Sequence, residues 1–170
     1  GNLSDAAQHG IFQPVESEVL ESRIPENLRD PEGLWFALTK RGRVIMYREA
    51  DVDVTGLTRY EDLADPKWQG MICIRPSGNV YNQSLVSSLI VADGPEATAE
   101  WVQGVVANFA REPEGNDTAQ IKAVAAGECD IAVANTYYLA RLMRSDDPAD
   151  VAVAESIGVI MPNQGDRGVH

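Results

Sequence analysis

The fold is decided by residues 117–144, DTAQIKAVAAGECDIAVANTYYLARLMR, which place an apolar strand between two helices. The apolar spacing predicts a helix over 118–126 that is capped by Asp117, a strand over 130–134 and a helix over 136–144. Strands that alternate with helices favour parallel pairing and an α/β layer sandwich. In such sheets ligands bind at the carboxyl ends of the strands, where the helices begin.

The same alternation extends outward from this stretch. Upstream, the pattern predicts two strands, a helix, a further strand and two helices, and downstream it predicts a last strand. These elements are expected over 34–38, 44–47, 58–65, 70–75, 81–92, 95–110 and 157–161. Residues 1–33 are polar and interrupted by proline, so we expect them to add little to the core beyond a short helix over 3–9.

The composition is strongly acidic, with 26 Asp and Glu against 14 Lys and Arg and a net charge of -12. Such a surface repels phosphate backbones and anionic lipid headgroups, which argues against nucleic acid and membrane surfaces as partners. The longest apolar run, Leu85 to Ala92, is far shorter than the ~20 residues of a membrane-spanning helix. The two cysteines, Cys73 and Cys129, lack metal-knuckle and Cys-x-x-Cys spacing, which leaves open one disulfide or two buried thiols.

Three of the five tyrosines fall at strand-to-helix corners. Tyr137 and Tyr138 are adjacent at the start of the last long helix, and Tyr81 occupies the matching corner one strand-helix unit earlier. Coordination to a hard, highly charged cation removes the phenol proton, and phenolate oxygen is a known ligand of ferric haem iron. Three phenolates would balance the charge of Fe(III). From spacing alone, aromatic packing at a domain surface remains the simpler interpretation.

A resemblance to a known family favours an iron site over simple aromatic packing. Four segments resemble the ferric-iron-binding periplasmic proteins of bacterial iron ABC transporters: NVYNQSL (79–85), QIKAVAAGECD (120–130), NTYYL (135–139) and the ending over 162–170. The resemblance covers nearly the whole chain. It implies a lobe of the type II periplasmic-binding-protein fold, which is a three-layer α/β/α sandwich with a mostly parallel central sheet.

The resemblance also implies a metal site. The Fe(III) ligands would be Tyr81, Tyr137 and Tyr138, and a synergistic anion such as carbonate would accompany the iron. The anion-binding and supporting residues would be Ser77, Gly78, Asn79, Asn135, Arg141 and Arg41. Arg141 follows Tyr137 by four residues and shares its helix face, where a guanidinium would stabilise a phenolate or a carbonate.

Proteins of this kind have two lobes that clamp iron between them. On that pattern, residues 1–35 would be a remnant of the first lobe and the approach to the hinge, and residues 36–170 a second lobe truncated before the chain returns. The protein would bind ferric iron in the periplasm and deliver it to an inner-membrane ABC permease, without catalysing a reaction. Its export signal peptide is expected to lie outside residues 1–170.

Two other classes of protein use similar corners. A solute-binding or effector-sensing domain for an oxyanion such as phosphate or phosphonate would use the helix N-termini without a metal. A metal-dependent enzyme would need a general base beside the metal, and neither corner motif supplies a His, Glu or Asp for that role. A visible absorption band distinguishes the iron site from the oxyanion site, because phenolate bound to Fe(III) is coloured.

Overall fold

The computed structural model describes residues 2–170, and the chain divides into two compact units, 1–40 and 41–170. The first unit contains helix α1 (Asn2–Gln8), helix α2 (Glu18–Arg23) and a 3₁₀ turn at Glu26–Leu28. The short helix expected over 3–9 is therefore confirmed at nearly the predicted bounds.

The strand expected over 34–38 is wrong. Only Phe36 makes a β-bridge, to Arg29, so no ladder of paired residues forms. The Asp30 carboxylate accepts hydrogen bonds from the backbone N–H groups of Glu32 and Leu34, which holds the preceding segment in a turn. The turn brings Phe36 opposite Arg29, and the pairing does not continue beyond this single bridge.

The second unit is built on a four-stranded sheet. Its strands, in the spatial order β2-β3-β1-β4, are β1 (Arg43–Arg48), β2 (Ile72–Cys73), β3 (Ile131–Asn135) and β4 (Ile157–Ile160). β2 pairs with β3 in parallel, whereas β1 pairs antiparallel with both β3 and β4. The α/β class is confirmed, but the sheet is mixed rather than mostly parallel. The chain enters β1 from residues 1–42 without a crossover helix, so the rule that aligns strands of βαβ units does not apply to it.

Five helices accompany the sheet: α3 (Val80–Asp93), α4 (Pro95–Ala107), α5 (Asp117–Ala126), α6 (Thr136–Met143) and α7 (Pro148–Glu155). The sequence pattern predicts the first four at nearly these bounds. It misses α7, which starts with Asp147 as its cap and proline at its first position. Within residues 2–170, the helices lack the combined length and apolarity that crossing a membrane requires.

The helix predicted over 58–65 is replaced by two 3₁₀ turns, Glu61–Ala64 and Pro66–Trp68. Asp65 adopts an extended conformation, which is the usual consequence of a following proline, and the first turn cannot grow into a helix. The Asp62 carboxylate accepts hydrogen bonds from the N–H groups of Thr58 and Arg59 at 2.8 Å, so Asp62 caps the start of the segment.

Alternate strand residues face opposite sides of the sheet, as the period of a β-strand requires. Val44 and Met46 of β1 pack on one side, in a cluster with residues of α5, α6 and α7. Ile45 packs on the other side, in a cluster with residues of α3 and α4. The three layers that the resemblance implies are therefore present, with one apolar core on each face of the sheet.

A disulfide joins Cys73, at the end of β2, to Cys129, just before β3. Their Cα atoms lie 5.9 Å apart, and both side chains are buried. Of the two states that the sequence leaves open, the structure shows the disulfide. The bond fastens together the parallel pair of strands whose carboxyl ends lead to the tyrosine corners.

Candidate metal centre

Three tyrosine side chains meet beyond the carboxyl ends of β2 and β3. The hydroxyl oxygens of Tyr81 and Tyr137 lie 3.1 Å apart. The rings of Tyr137 and Tyr138 stack, with their centroids 4.3 Å apart and their planes at 29°. All three residues are half-buried, so they lie near the surface of the unit rather than in its core.

Each corner is the start of a helix. Asn79 caps α3 by accepting a hydrogen bond from the Tyr81 N–H at 2.9 Å, which fixes Tyr81 in the first turn. α6 begins directly after β3, so Tyr137 and Tyr138 extend from the edge of the sheet. Neighbouring residues of a helix point about 100° apart, yet the two rings turn towards each other and stack.

A buried ion pair connects the elements that carry these corners. Arg43, at the start of β1, is 2% exposed, and Asp117, at the start of α5, is 0% exposed. Arg43 Nη1 lies 3.1 Å from Asp117 Oδ2, and Arg75 Nη1 lies 3.1 Å from the other carboxylate oxygen. Two guanidinium groups share one carboxylate, so the cluster keeps a positive charge. Burial lowers the pKa of Arg43, and Asp117 opposes that shift.

Guanidinium groups also flank the tyrosine rings. Arg75 Cζ lies 5.1 Å from the centroid of the Tyr81 ring, and Arg43 Cζ lies 6.0 Å from it. Arg141 Cζ lies 5.1 Å from the centroid of Tyr137 and 5.7 Å from that of Tyr138. Cations at these distances are attracted to the negative face of an aromatic ring.

The two adjacent tyrosines differ as acids. Burial raises the pKa of Tyr137, and the neighbouring hydroxyls of Tyr138 and Tyr81 raise it further. The hydroxyl of Tyr137, followed by the Arg75 guanidinium, lowers the pKa of Tyr138 against the opposing effect of burial. Tyr138 is therefore the first of the pair to ionise, and Tyr137 holds its proton more strongly.

The predicted supporting residues occupy different positions. Asn135 is buried, and its Oδ1 accepts a hydrogen bond from Arg43 Nη1 at 3.2 Å, so its side chain faces the ion pair. Ser77 and Gly78 are exposed in the turn before α3, and a Cβ at Gly78 would meet nothing within 4 Å. Arg41 is exposed, whereas Arg43, two residues later, occupies the buried position beside Tyr81.

Sequence reasoning misses Arg43, Arg75 and Asp117 as members of this centre, and with them Asn82, whose Oδ1 accepts a hydrogen bond from Arg43 Nη2. It treats Asp117 as a helix cap. Asn116 is the cap of α5, since its side chain accepts a hydrogen bond from the Ala119 N–H at 3.1 Å, and the Asp117 carboxylate turns inward. One signal was available: an arginine that opens a buried apolar strand requires a buried partner of opposite charge.

The chain is similar to proteins of iron uptake along nearly its whole length. It is 60% identical over 165 residues to iron uptake protein A1 of Synechocystis sp., covering 97% of this chain and 46% of that protein. The structure of Trichodesmium FutA (IdiA) with iron and citrate ligands matches with 57% identity and a TM-score of 0.93, covering 98% of this chain and 52% of the other. The ferric binding protein from Campylobacter jejuni matches with 42% identity and a TM-score of 0.94, covering 99% and 54% respectively.

These matches confirm the resemblance and the periplasmic-binding-protein fold that the sequence segments imply. The chain spans about half the length of the relatives that it matches. Residues 2–165 also match the family described as bacterial extracellular solute-binding protein. That match covers almost every residue described in the structure, and this chain therefore belongs to the family of bacterial extracellular solute-binding proteins.

Proposed function

We propose that this chain binds ferric iron through the phenolate oxygens of Tyr81, Tyr137 and Tyr138. The proposal is carried by the convergence of these side chains at two adjacent corners, with the Tyr81 and Tyr137 hydroxyl oxygens 3.1 Å apart. Hard, charged oxygen donors suit a hard trivalent cation. Ferric-binding and iron-uptake proteins with the same fold are the relatives that support this choice of metal.

The charges around the tyrosines support the same proposal. Iron binding must displace the phenol protons, and nearby positive charge lowers the cost of ionisation. Arg75 and Arg43 lie close to the Tyr81 ring, and Arg141 lies close to the other two rings. Three phenolates would offset the charge of Fe(III). The positive charge of the arginines would then favour the binding of an additional anion.

We infer that a synergistic anion such as carbonate binds beside the iron. Ser77, Gly78 and Asn79 would hold it at the start of α3, where the helix presents free N–H groups to a negative charge. The open space around Gly78 allows an anion to approach the backbone there. Arg141, Asn135 and Arg41 would support the anion or the phenolates by charge and hydrogen bonding.

The whole protein would have two lobes. Residues 1–35 would be the remnant of a first lobe with the approach to the hinge, and residues 36–170 the second lobe, as the coverage of about half of each relative suggests. The lobes would close on the iron in the periplasm, and the loaded protein would release it to an inner-membrane ABC permease. No chemical turnover is involved in this role.

Addition of ferric nitrilotriacetate to the chain, followed by metal analysis and a visible spectrum, tests the proposal. We expect a coloured complex that a competing chelator removes easily, because water or buffer fills the positions that a first lobe would supply. Tight, chelator-resistant binding would contradict this picture of an open site. Binding of phosphate by the iron-free chain, with no colour on addition of iron, would favour the oxyanion alternative.

A further inference from the structure

The two tyrosine corners are linked through a single buried side chain. Arg43 is almost completely enclosed, and its guanidinium lies between the first turn of α3 and the end of β3. Its charge is compensated by Asp117, at 3.1 Å. Taking an arginine out of water carries a large desolvation cost, so a buried arginine persists only where its partners are well placed.

One arm of Arg43 reaches the Tyr81 corner. Arg43 Nη2 donates to Asn82 Oδ1 at 2.7 Å, and Asn82 directly follows Tyr81 in α3. Asn82 Nδ2 in turn donates to the carbonyl oxygen of Arg75 at 2.8 Å, which ties the loop after β2 to the same helix. The position of the first turn of α3 therefore depends on this guanidinium.

The other arm reaches the corner of Tyr137 and Tyr138. Arg43 Nη1 donates to Asn135 Oδ1 at 3.2 Å, and Asn135 is the residue from which α6 begins. Asp117 Oδ2 accepts a hydrogen bond from the Asn135 N–H at 2.8 Å, so the counter-ion of Arg43 also binds Asn135. A further bond runs from Arg43 Nη2 to the carbonyl oxygen of Val133, at 3.0 Å.

We propose that the Arg43–Asp117 pair is a positioning device that sets the separation of the Tyr81 corner from the Tyr137 and Tyr138 corner. The inference rests on the proposed iron-binding function and deepens it. The pair does not need to touch the metal. It holds the donors at the spacing that one ion requires, and loss of the pair lets α3 and α6 shift relative to each other.

Substitutions at the pair test the inference in the 170-residue chain, with ferric nitrilotriacetate as the probe. Arg43→Lys keeps the charge, but its single ammonium group cannot reach Asn82 and Asn135 together. Asp117→Asn keeps the shape and removes the counter-charge. We expect each variant to lose iron affinity by about 10- to 100-fold, the usual effect of losing an outer partner of a metal ligand. We also expect the phenolate-to-iron absorption band to shift or weaken, which a purely structural role would not cause.

Arg48→Met is the matched control. Arg48 lies at the other end of β1 and pairs with Asp51 and Asp130, so the variant loses ion pairs of the same strand far from the tyrosines. It should unfold more easily, yet bind iron with the affinity and the absorption band of the unmodified chain. Equal loss of iron in the control would overturn the inference, since general destabilisation would then explain all the results.

A double variant, Arg43→Met with Asp117→Leu, guards against misfolding of the single variants. Replacing a buried pair with apolar residues of similar volume is often tolerated, so we expect this variant to fold and still to lose iron affinity. Unchanged affinity and an unchanged band in this variant and in Arg43→Lys would overturn the inference while the proposed function stands. Absence of any iron band from the unmodified chain would instead overturn the proposed function, and the inference with it.

Discussion

The hydroxyl oxygens of Tyr81 and Tyr137 are 3.1 Å apart although 56 residues separate them in the chain. This distance is too short for two charged oxygens without a cation between them. In the iron-free protein at least one of the two groups therefore keeps its proton, and a trivalent ion would allow both to ionise. The proposed iron would supply the positive charge that both oxygens need in order to ionise together.

Replacing a corner tyrosine with phenylalanine separates metal ligation from folding. Tyr81→Phe, Tyr137→Phe and Tyr138→Phe each keep the ring but remove the oxygen, so the free energy of unfolding should change by no more than about 1 kcal/mol. Iron affinity should fall by more than the ~10- to 100-fold that follows loss of an outer partner. Metal titration with the visible band and denaturant unfolding measure the two effects.

Tyr47→Phe is the appropriate control for these variants, since Tyr47 lies on β1, remote from the corners. Tyr60 is unsuitable, because its buried hydroxyl donates to the Arg43 carbonyl oxygen and accepts from the His170 N–H. Equal loss of iron in Tyr47→Phe and in the corner variants, with all proteins folded, would return the stacked pair to a role in packing.

The order in which the corner tyrosines ionise gives a prediction about pH. Because the pKa of Tyr138 is lowered and that of Tyr137 is raised, phenolate should appear at Tyr138 below the ordinary value of about 10 and at Tyr137 well above it. Alkaline titration of the iron-free chain by ultraviolet absorbance detects both steps. Tyr138→Phe should remove the early step. Tyr137→Phe should move the early step to higher pH, since the Tyr137 hydroxyl is the main cause of the lowered pKa.

If the early step survives in Tyr138→Phe, another tyrosine produces it and the assignment is wrong. Tyr47→Phe again serves as the comparison, because it should leave the early step unchanged.

Removal of the disulfide should destabilise the second unit. The bond closes a loop with a sequence separation of 56 residues, and loss of such a constraint typically costs ~2–5 kcal/mol. Denaturant unfolding of the Cys73→Ala, Cys129→Ala double variant measures the loss. Reductant should lower the midpoint of the unmodified chain and leave that of the variant unchanged. Two free thiols in the unreduced, denatured chain would show instead that the bond does not form.

Replacing Gly104 of α4 with alanine should destabilise the fold, because even a methyl group does not fit there. A Cβ at Gly104 would lie 2.7 Å from the Cβ of Ala64 and 2.9 Å from its carbonyl oxygen, because α4 packs directly against the 3₁₀ turn Glu61–Ala64. Gly104→Ala should lose ~1–3 kcal/mol through overpacking, although alanine favours helices. Gly78→Ala, where space is open, should unfold like the unmodified chain. Matching midpoints for both variants would show that the turn moves aside freely.

The sequence allows much of this fold to be predicted, because the relevant signals are local. The spacing of apolar residues locates α3 to α6, and the continuous apolar runs of β1 and β3 follow from burial on both faces of the sheet. The direction of β1 is a different matter. No local pattern records which way a strand runs beside neighbours that occur much later in the chain, so a general preference for parallel pairing gave the wrong expectation.

The candidate site also has one part that local sequence predicts and one part that it does not. The tyrosine corners are short local motifs, and the sequence presents them directly. The contact between Arg43 and Asp117 spans 74 residues, and Arg43 contacts Asn135 across 92. Without the fold, Arg43 cannot be distinguished from the exposed Arg41 beside it, and Asp117 resembles any acidic residue at a helix start. Partners that are distant in sequence are therefore the part of the site that required the structure.

The central position of β1 constrains how the protein is made. β1 is synthesised before both of its neighbours, β3 and β4, which lie within residues 131–160. A nascent chain emerging from the ribosome therefore carries an apolar strand with two unpaired edges until almost the whole unit has been translated. Long-range pairing of this kind folds slowly. The sheet can therefore be completed only when the final strand is available.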